Sequence, residues 1–596
     1  MSTVKERIAT LRSLMTRSDI SAYIVPTSDY HQSEIVGNYF RQRVYITGFT
    51  GSAGTAVIAT EDAGLWTDGR YFIQAEQQLA GSGVKLMKMR EPGVPEVKDW
   101  IAQNVPEGSK VAANGRVISE TQSREYKETF KDKNISIDYS YDLISEFWED
   151  RPSVPADPAF YLEEKYTGEG IASKLERYRA EINKLGADTG LEVSLDNICW
   201  LLNVRGHDVP LAPLLLSYAI VGPDKVDFYT DEAKISSDIR KILEDNNVVL
   251  HPYDAIYEDI CKLSGAKVLA DPDYVNCVLF ESIPESCTIV EATSPIVLMK
   301  ALKNPVELEN IRASHIKDGV ATTKFMHWVK THYDKEYVTE LSAEEVFRSF
   351  RAEQEGYIND NFESICGYEG HAAIMHYYSK PETDCQLKEG IFLTDTGGVY
   401  YEGSTDISRT FILGSLDDAR KHLYTATARA TINLSRAVFL HGCYGFNLDI
   451  LARGPIWDMM MDYKCGTGHG VGYLLNVHEG PHSFRWNILK GLSHDHILEE
   501  GMVVTIEPGI YEEGYFGART ENEVVVRKAE ANDYGQFMYF ETVTMAPFDL
   551  DGIIPEEMQP DEREWLNNYH KEVYEKISPH LNDEEREWLK HATRAI

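Results

Sequence analysis

The stretch IFLTDTGGVYYEGSTDISRT, residues 391–410, decides how the rest of the chain is read. It reads as two short strands, with Asp395 closing one and Asp406 opening the other. The aspartates stand eleven residues apart, which in a straight extended chain is roughly 36 Å at ~3.3 Å per residue. They share a site only if the chain doubles back, and Gly397, Gly398 and Gly403 supply the corners of a bent hairpin. Two carboxylates brought together inside a sheet repel each other and lose hydration, so they must either be protonated or hold cations.

At 596 residues the chain is too long for one core, and ~150 residues per domain predicts three or four. Apolar residues at 43% and aromatics at 11% are enough to bury several cores, which excludes a disordered chain. Asp and Glu number 95 against 59 Lys and Arg, and the net charge of −36 argues against a nucleic-acid or anionic-membrane surface. The acidic excess serves solubility, with a funnel for cationic peptide N-termini as the alternative. Eight cysteines, at 199, 261, 277, 287, 366, 385, 443 and 465, form no C-x-x-C pair, as in a reducing compartment. The N-terminal MSTVKERIATLRSLMTRSDI carries charges at helical spacing where a signal peptide would be apolar. No apolar run approaches the ~18 residues of a membrane span. The expectation is a cytoplasmic protein with no membrane and no nucleic-acid partner.

Along the chain, an amphipathic helix near residues 4–17 precedes SAYIVPTSD, VYITGF and the glycine-rich FTGSAGTAVIA. The first two read as strands. The last lacks the G-x-x-x-x-G-K-[ST] order of a phosphate cradle and reads as a strand-to-strand turn. RPSVPADP interrupts regular structure near 155, and α/β patterning then returns with ASKLERYRAEINKL, SLDNICWLLNVRG and SYAIVGPDKVDFYTDEA. Thr67-Asp68 and Thr230-Asp231 each end a strand after comparable runs, an internal repeat with an offset of about 163 residues. His31, Asp29 and Arg70 stand alone there and are assigned to packing or an interface. Near Ala301 a proline-started helix opens a further region, with helices through SAEEVFRSFRAEQEG and over 417–440, and charged amphipathic helices at the C-terminus. The domains are therefore drawn at 1–155, 156–300 and 301–596.

Four more pieces of the last region carry ligand-type side chains: AAIMHYYSKPE with His376, GTGHGVGYLLNVHEGP with His469 and His478, VVTIEPGIYEEG with Glu507, and FGARTENEVVV with Glu521. His469 lies among Gly466, Gly468, Gly470 and Gly472, where backbone can pass close to another group. Glu507 follows the apolar run MVVTI, so its charge leaves a buried strand and needs a partner. Singly, each has a plain explanation. A strand-end Asp forms turns, a Glu before Pro-Gly is solvated, and a lone His is hydrogen-bonded in a core. Their joint occurrence in this order is what points to metal.

That order resembles the aminopeptidase P branch of the pita-bread metallopeptidases (M24B), which includes prolidase, creatinase and methionine aminopeptidase. DYHQSE, TGFTGSAGTA, WTDGRYF, LLNVRG, ENEVVV and EWLNNYH extend the resemblance over the whole chain, to the three-domain cytosolic type. It implies an α/β (α+β) fold with two creatinase-like N-terminal α/β domains before a C-terminal pita-bread metallopeptidase domain. By the same resemblance Asp395, Asp406, His469, Glu507 and Glu521 are the metal ligands, with Asp406 bridging two ions. Charge bookkeeping agrees, since four carboxylates carry about −4 and two divalent cations balance them. Oxygen ligands with one imidazole suit Mn²⁺, with Co²⁺ or Zn²⁺ as alternatives. The implied reaction is hydrolysis of the N-terminal Xaa-Pro bond by a metal-bridging hydroxide, with Glu507 relaying the proton, on peptides with proline at the second position. His376 and His478 correspond to the family's substrate-holding histidines. Tyr511 and Arg519 are implied to orient Asp395 or a neighbouring carboxylate, a plain ion pair being the alternative for Arg519. A homodimer is the family's default.

One position departs from the pattern. The family often shows H-G-T-G-H-G where this chain has Cys465-Gly-Thr-Gly-His-Gly. A thiol at the place of a substrate-contacting histidine cannot carry an imidazolium charge. Two other functions stay open at this level: a prolidase limited to Xaa-Pro dipeptides, and a pita-bread protein that binds peptides without catalysis.

Overall fold

The alternation of strand-forming and amphipathic runs produces two structural units in the computed structural model, which describes residues 2–488 and 496–596. The first comprises Met1–Tyr161 and Glu169–Ile296, the second Leu162–Gly168 and Val297–Ile596.

Within the first unit the internal repeat is visible strand by strand. One six-stranded sheet has the spatial order Lys85–Lys88, Ala63–Thr67, Thr55–Ala59, Ala22–Pro26, Lys110–Ala113, Ser136–Asp138. The other has Val248–Pro252, Val226–Thr230, Ser217–Val221, Thr189–Glu192, Lys267–Ala270, Thr288–Glu291. Both place two antiparallel pairings in the middle and parallel pairings outside them. Asp68 and Asp231 each cap a short 3-10 turn after their strand, accepting from Arg70 N at 3.1 Å and Ala233 N at 3.0 Å. His31 fastens the two halves of this unit to each other through Val193 O at 2.8 Å and the Tyr253 hydroxyl at 2.6 Å.

Three local expectations are corrected. VYITGF is not a strand: Gln42–Thr47 is helical, and Gly48 ends it at φ +75°. The cause is tertiary, because the buried Arg43 guanidinium donates to Phe49 O, to Gly51 O and to Thr27 Oγ1, which overrides the β preference of the run. FTGSAGTA consequently joins a helix to a strand. The helix expected over 417–440 stops at Ser435, and Val438–Leu440 is the edge strand of a sheet.

The longest helix of the second unit is the 28-residue Pro305–His332. Asn304 caps it by accepting from Val306 N and Glu307 N, and Pro305 occupies the first turn, where no amide is needed. A six-stranded sheet orders Val438–Leu440, Gly535–Thr542, Asn522–Asn532, Val503–Ile506, Gly468–Gly470 and Glu479–Phe484. A three-stranded sheet pairs Ile365–Tyr368, Gly390–Thr396 and Ile407–Leu413. Ile391, Ile412, Val504, Val524 and Phe516 pack with the helix Asp418–Ser435 in one buried cluster that fixes the two sheets to each other. Complete burial of each such side chain stabilises by about 1.5–3 kcal/mol before entropy is counted. Among the described residues no helix is long and apolar enough to cross a membrane.

Candidate metal centre

The doubled-back stretch is present as two nested hairpins. Gly390–Thr396 and Ile407–Leu413 pair antiparallel, with Asp395 opposite Ser408, while Val399 pairs with Ser404 inside the reversal. Gly397 is required at the corner, because a Cβ there would meet Thr405 O at 1.9 Å. The reversal puts Asp406 one residue before the strand that faces Asp395.

The other three side chains arrive on the six-stranded sheet. Ile506 pairs with Asn522, so the chain leaves the same sheet edge at Glu507 and enters it at Glu521. His469 sits in Gly468–Gly470, next to Val503–Ile506. A Cβ on Gly468 would lie 1.9 Å from Thr505 O, so a side chain there would hold the two strands apart. Thr467 O accepts from Glu507 N at 2.8 Å, and the Thr467 hydroxyl is tied to Asp449 and Tyr463.

The ligand atoms of Asp406, His469 and Glu521 all lie within 4.8 Å of one another. His469 Nε2 is 3.5 Å from Asp406 Oδ2 and 3.4 Å from Glu507 Oε1. Its Nδ1 contacts Gly470 O at 3.0 Å, and because a carbonyl only accepts, Nδ1 carries the proton. Nε2 then turns a lone pair toward two carboxylates, which is favourable only with a proton or a cation between them. Burial pushes Asp406 well above the usual carboxylate range, and Glu521, Asp395, Glu507 and Glu523 add to it. Burial does the same to Glu521, reinforced by Glu507 and Asp395. Glu507 is raised to about 7, mainly by burial, against the pull of Arg519. Asp395 Oδ1 is buried with no hydrogen-bond partner among the described residues. An orphaned carboxylate oxygen, crowded carboxylates and an imidazole lone pair fit divalent cations.

The remaining expected residues take definite places. Arg519 pairs with Asp395 Oδ2, donates to the Tyr511 hydroxyl at 2.7 Å and to Ser408 Oγ at 2.8 Å, and Ser408 donates to Glu521 Oε2 at 2.8 Å. His478 is exposed and meets the His469 ring edge-on, with centroids 4.3 Å apart. His376 is half-buried in the turn that follows Glu369–Ala373. Cys465 is half-buried, and its thiol is pushed up to about 12, by burial first and the Glu507 charge second.

Glu523 was not singled out in the sequence, yet its Oε1 accepts from Asp406 N at 2.6 Å and lies 3.2 Å from His315 Nε2. Burial opposes a charge on His315, but the Glu523 carboxylate, the Ile311 carbonyl and Asp318 together outweigh it and raise the pKa. The signal was available: in ENEVVV, Glu523 follows Glu521 by two residues in a strand-forming run, a spacing that puts both side chains on one side if the run is extended.

Comparison with known proteins bears on this geometry. Residues 7–144 and 150–307 each match models of the creatinase/prolidase N-terminal domain, residues 309–528 match metallopeptidase family M24, and residues 536–596 match the C-terminal region of the M24 peptidases. Aminopeptidase P2 of Arabidopsis thaliana is 36% identical over the whole chain and 89% of its own length. Xaa-Pro aminopeptidase 1 of Dictyostelium discoideum is 34% identical over the whole chain and 97% of its own length. The crystal structure of the X-prolyl aminopeptidase of Caenorhabditis elegans, a cytosolic enzyme with a di-nuclear active site, is similar over 100% of both chains, at 30% identity and a TM-score of 0.94.

Proposed function

Since this chain belongs to metallopeptidase family M24, among aminopeptidase P relatives that match it end to end, we propose that it releases the N-terminal residue from peptides with proline in second place. The observation that carries this reading is the convergence of Asp406, His469 and Glu521 within 4.8 Å, with Glu507 at the same imidazole. Asp395, Asp406, His469, Glu507 and Glu521 would hold two divalent cations, manganese by donor type and cobalt or zinc as alternatives. When bound, such ions acidify a water and polarise a carbonyl.

The chain's own groups supply the rest. Glu507, beside the His469 imidazole, takes the proton of the attacking water and delivers it to the proline nitrogen. The water oxygen joins the carbonyl carbon, the C–N bond breaks, and the free amino acid and a proline-led peptide leave. His478, exposed beside His469, and His376 hold the substrate and stabilise the charge on its carbonyl oxygen. Arg519, braced by Tyr511, fixes the direction of Asp395. Cys465, protonated at neutral pH, contributes at most a neutral thiol contact where relatives often carry an imidazole. A tertiary amide at the proline nitrogen is refused by many peptidases, so a pocket shaped to the ring gives the specificity.

We place the protein in the cytosol, in keeping with its eight free cysteines and its cytosolic relative, and take a homodimer from the family resemblance alone. The test is release of the N-terminal residue from an Xaa-Pro-Pro peptide in excess Mn²⁺, with metal content measured alongside. Folded protein that releases nothing rules the enzyme out. Faster cleavage of an Xaa-Pro dipeptide than of the tripeptide would make it a prolidase, and fewer than two Mn²⁺ per chain would break the two-ion scheme.

A further inference from the structure

A second set of ligand-type side chains converges away from the carboxylate centre. Glu340 is the first residue of the helix Glu340–Ala352, and its side chain is fully buried, at 0% exposure. Its Oε1 accepts from Tyr368 N at 2.7 Å and lies 2.8 Å from His371 Nδ1, while Oε2 accepts from the Tyr377 hydroxyl at 2.8 Å. Cys385 Sγ stands 3.8 Å from the same Nδ1. Among the described residues the only ion-pair partner of Glu340 is His371.

The three groups are held independently of any ligand. Glu340 N donates to Cys385 O at 3.2 Å, Leu341 N donates to Asp384 Oδ1 at 3.1 Å, and Thr339 bridges to Gln386. His371 lies in the 3-10 segment Glu369–Ala373, with its ring stacked on Tyr377 at 4.3 Å. That segment is wedged against Phe516–Arg519, where a Cβ on Gly517 would come within 2.0 Å of Ala372 backbone.

Nucleophilic chemistry does not suit this arrangement. A relay through histidine needs its two ring nitrogens facing different partners, whereas Nδ1 here faces both Glu340 and Cys385. The thiol is also held at about 12, by burial first and Glu340 second, so no free thiolate exists at neutral pH. Metal ligation does suit it. A tetrahedral ion with bonds of ~2.0–2.3 Å spaces its ligand atoms roughly 3.3–3.8 Å apart. The three ligand atoms here are mutually within 4.8 Å; the sulfur–nitrogen pair at 3.8 Å already has that spacing, and the hydrogen-bonded nitrogen–oxygen pair at 2.8 Å has to open by roughly half an ångström when an ion replaces its proton.

We propose that Glu340, His371 and Cys385 form a third metal site, distinct from the carboxylate centre, that takes one thiophilic divalent cation of the Zn²⁺ type with water completing its coordination. Binding breaks the Cys385 S–H bond, forms an S–metal bond and releases the thiol proton to solvent, while the proton that His371 Nδ1 holds toward Glu340 moves to Nε2 and frees the Nδ1 lone pair, with no redox change. Because His371 precedes His376 by five residues, an ion here fastens the segment that carries His376.

The test uses the full chain, stripped with a chelator, reloaded with excess Mn²⁺ and titrated with Cd²⁺, reading thiolate-to-cadmium absorbance in the ultraviolet together with proton release. One equivalent of Cd²⁺ per chain is expected to produce the band and release one proton. Cys385→Ser should remove the band, and His371→Ala should weaken cadmium binding by at least about 10-fold. Asp406→Asn, aimed at the other centre, should leave the band intact, so failure here is separable from failure of the peptidase reading. A wild-type protein with no band overturns the proposal even if the variants misfold. A band at full strength in folded Cys385→Ser also overturns it, leaving a hydrogen-bonded His371–Glu340 pair only.

Discussion

The two ligand clusters of the second unit differ in what surrounds their carboxylates. At Asp406, Glu507 and Glu521 the neighbours are other carboxylates, and burial with mutual repulsion drives their pKa values up. At Glu340 a single carboxylate is met by the Tyr368 amide, the Tyr377 hydroxyl and the His371 ring. One cluster is held against its own electrostatics and needs protons or cations to relieve it; the other is satisfied by donors before any ion arrives. Donor type separates them further. Oxygen-rich ligation favours a hard ion such as Mn²⁺, and a set with sulfur favours Zn²⁺. With both sites filled, ligand chemistry would let one domain discriminate between metals.

Breaking the first cluster should have the largest effect. Asp406→Asn is expected to lower kcat/KM on an Xaa-Pro-Pro peptide by more than about 10³-fold, beyond the loss of one oxyanion donor. Circular dichroism should show the fold retained, and near-normal turnover would mean that Asp406 is not a ligand. His478→Ala and His376→Ala are each expected to cost ~10²-fold in kcat with manganese content unchanged. A loss of bound metal in either would move that histidine from the substrate to the ions. Arg519→Gln, which frees Asp395 without removing it, should weaken manganese binding by roughly 10- to 100-fold, measured by calorimetry.

A further effect is expected on stability, and it sharpens the contrast most directly. In metal-free protein, Asp406, Glu507 and Glu521 have folded-state pKa values above their ordinary ones. The native state therefore binds more protons than the unfolded state, and its stability falls as pH rises. For Glu507 the window runs from its ordinary 4.5 to about 7. Melting temperature of the stripped protein should drop through that range by the equivalent of a few kcal/mol, whereas Mn²⁺-loaded protein should show little of this slope. A stripped protein whose stability rises across the window would show that the carboxylates are not crowded as described.

Parts of this were legible in the chain because they are local. Asp395, Asp406 and the glycines between them encode their own reversal, and alternate residues in ENEVVV betray a shared side. VYITGF misled for the complementary reason: its β-branched residues favour a strand, but Arg43 binds carbonyls at Phe49 and Gly51 and the segment coils around it. Cys385 and His371 carried no signal at all, being 45 and 31 residues from Glu340 with no motif spacing.

The sequence by itself determined the repeated α/β halves, the hairpin, and the order in which carboxylates and histidines occur, since those follow from periodicity, glycine placement and residue type. Only the tertiary structure decided which of them meet. Arg519 reaches Asp395 across 124 residues, and Glu523 receives the Asp406 amide across 117. Those contacts depend on the register of Ile506 against Asn522 and on how the two sheets of the second unit pack. Register and packing are collective outcomes of burying one shared core, so no single stretch of sequence contains them.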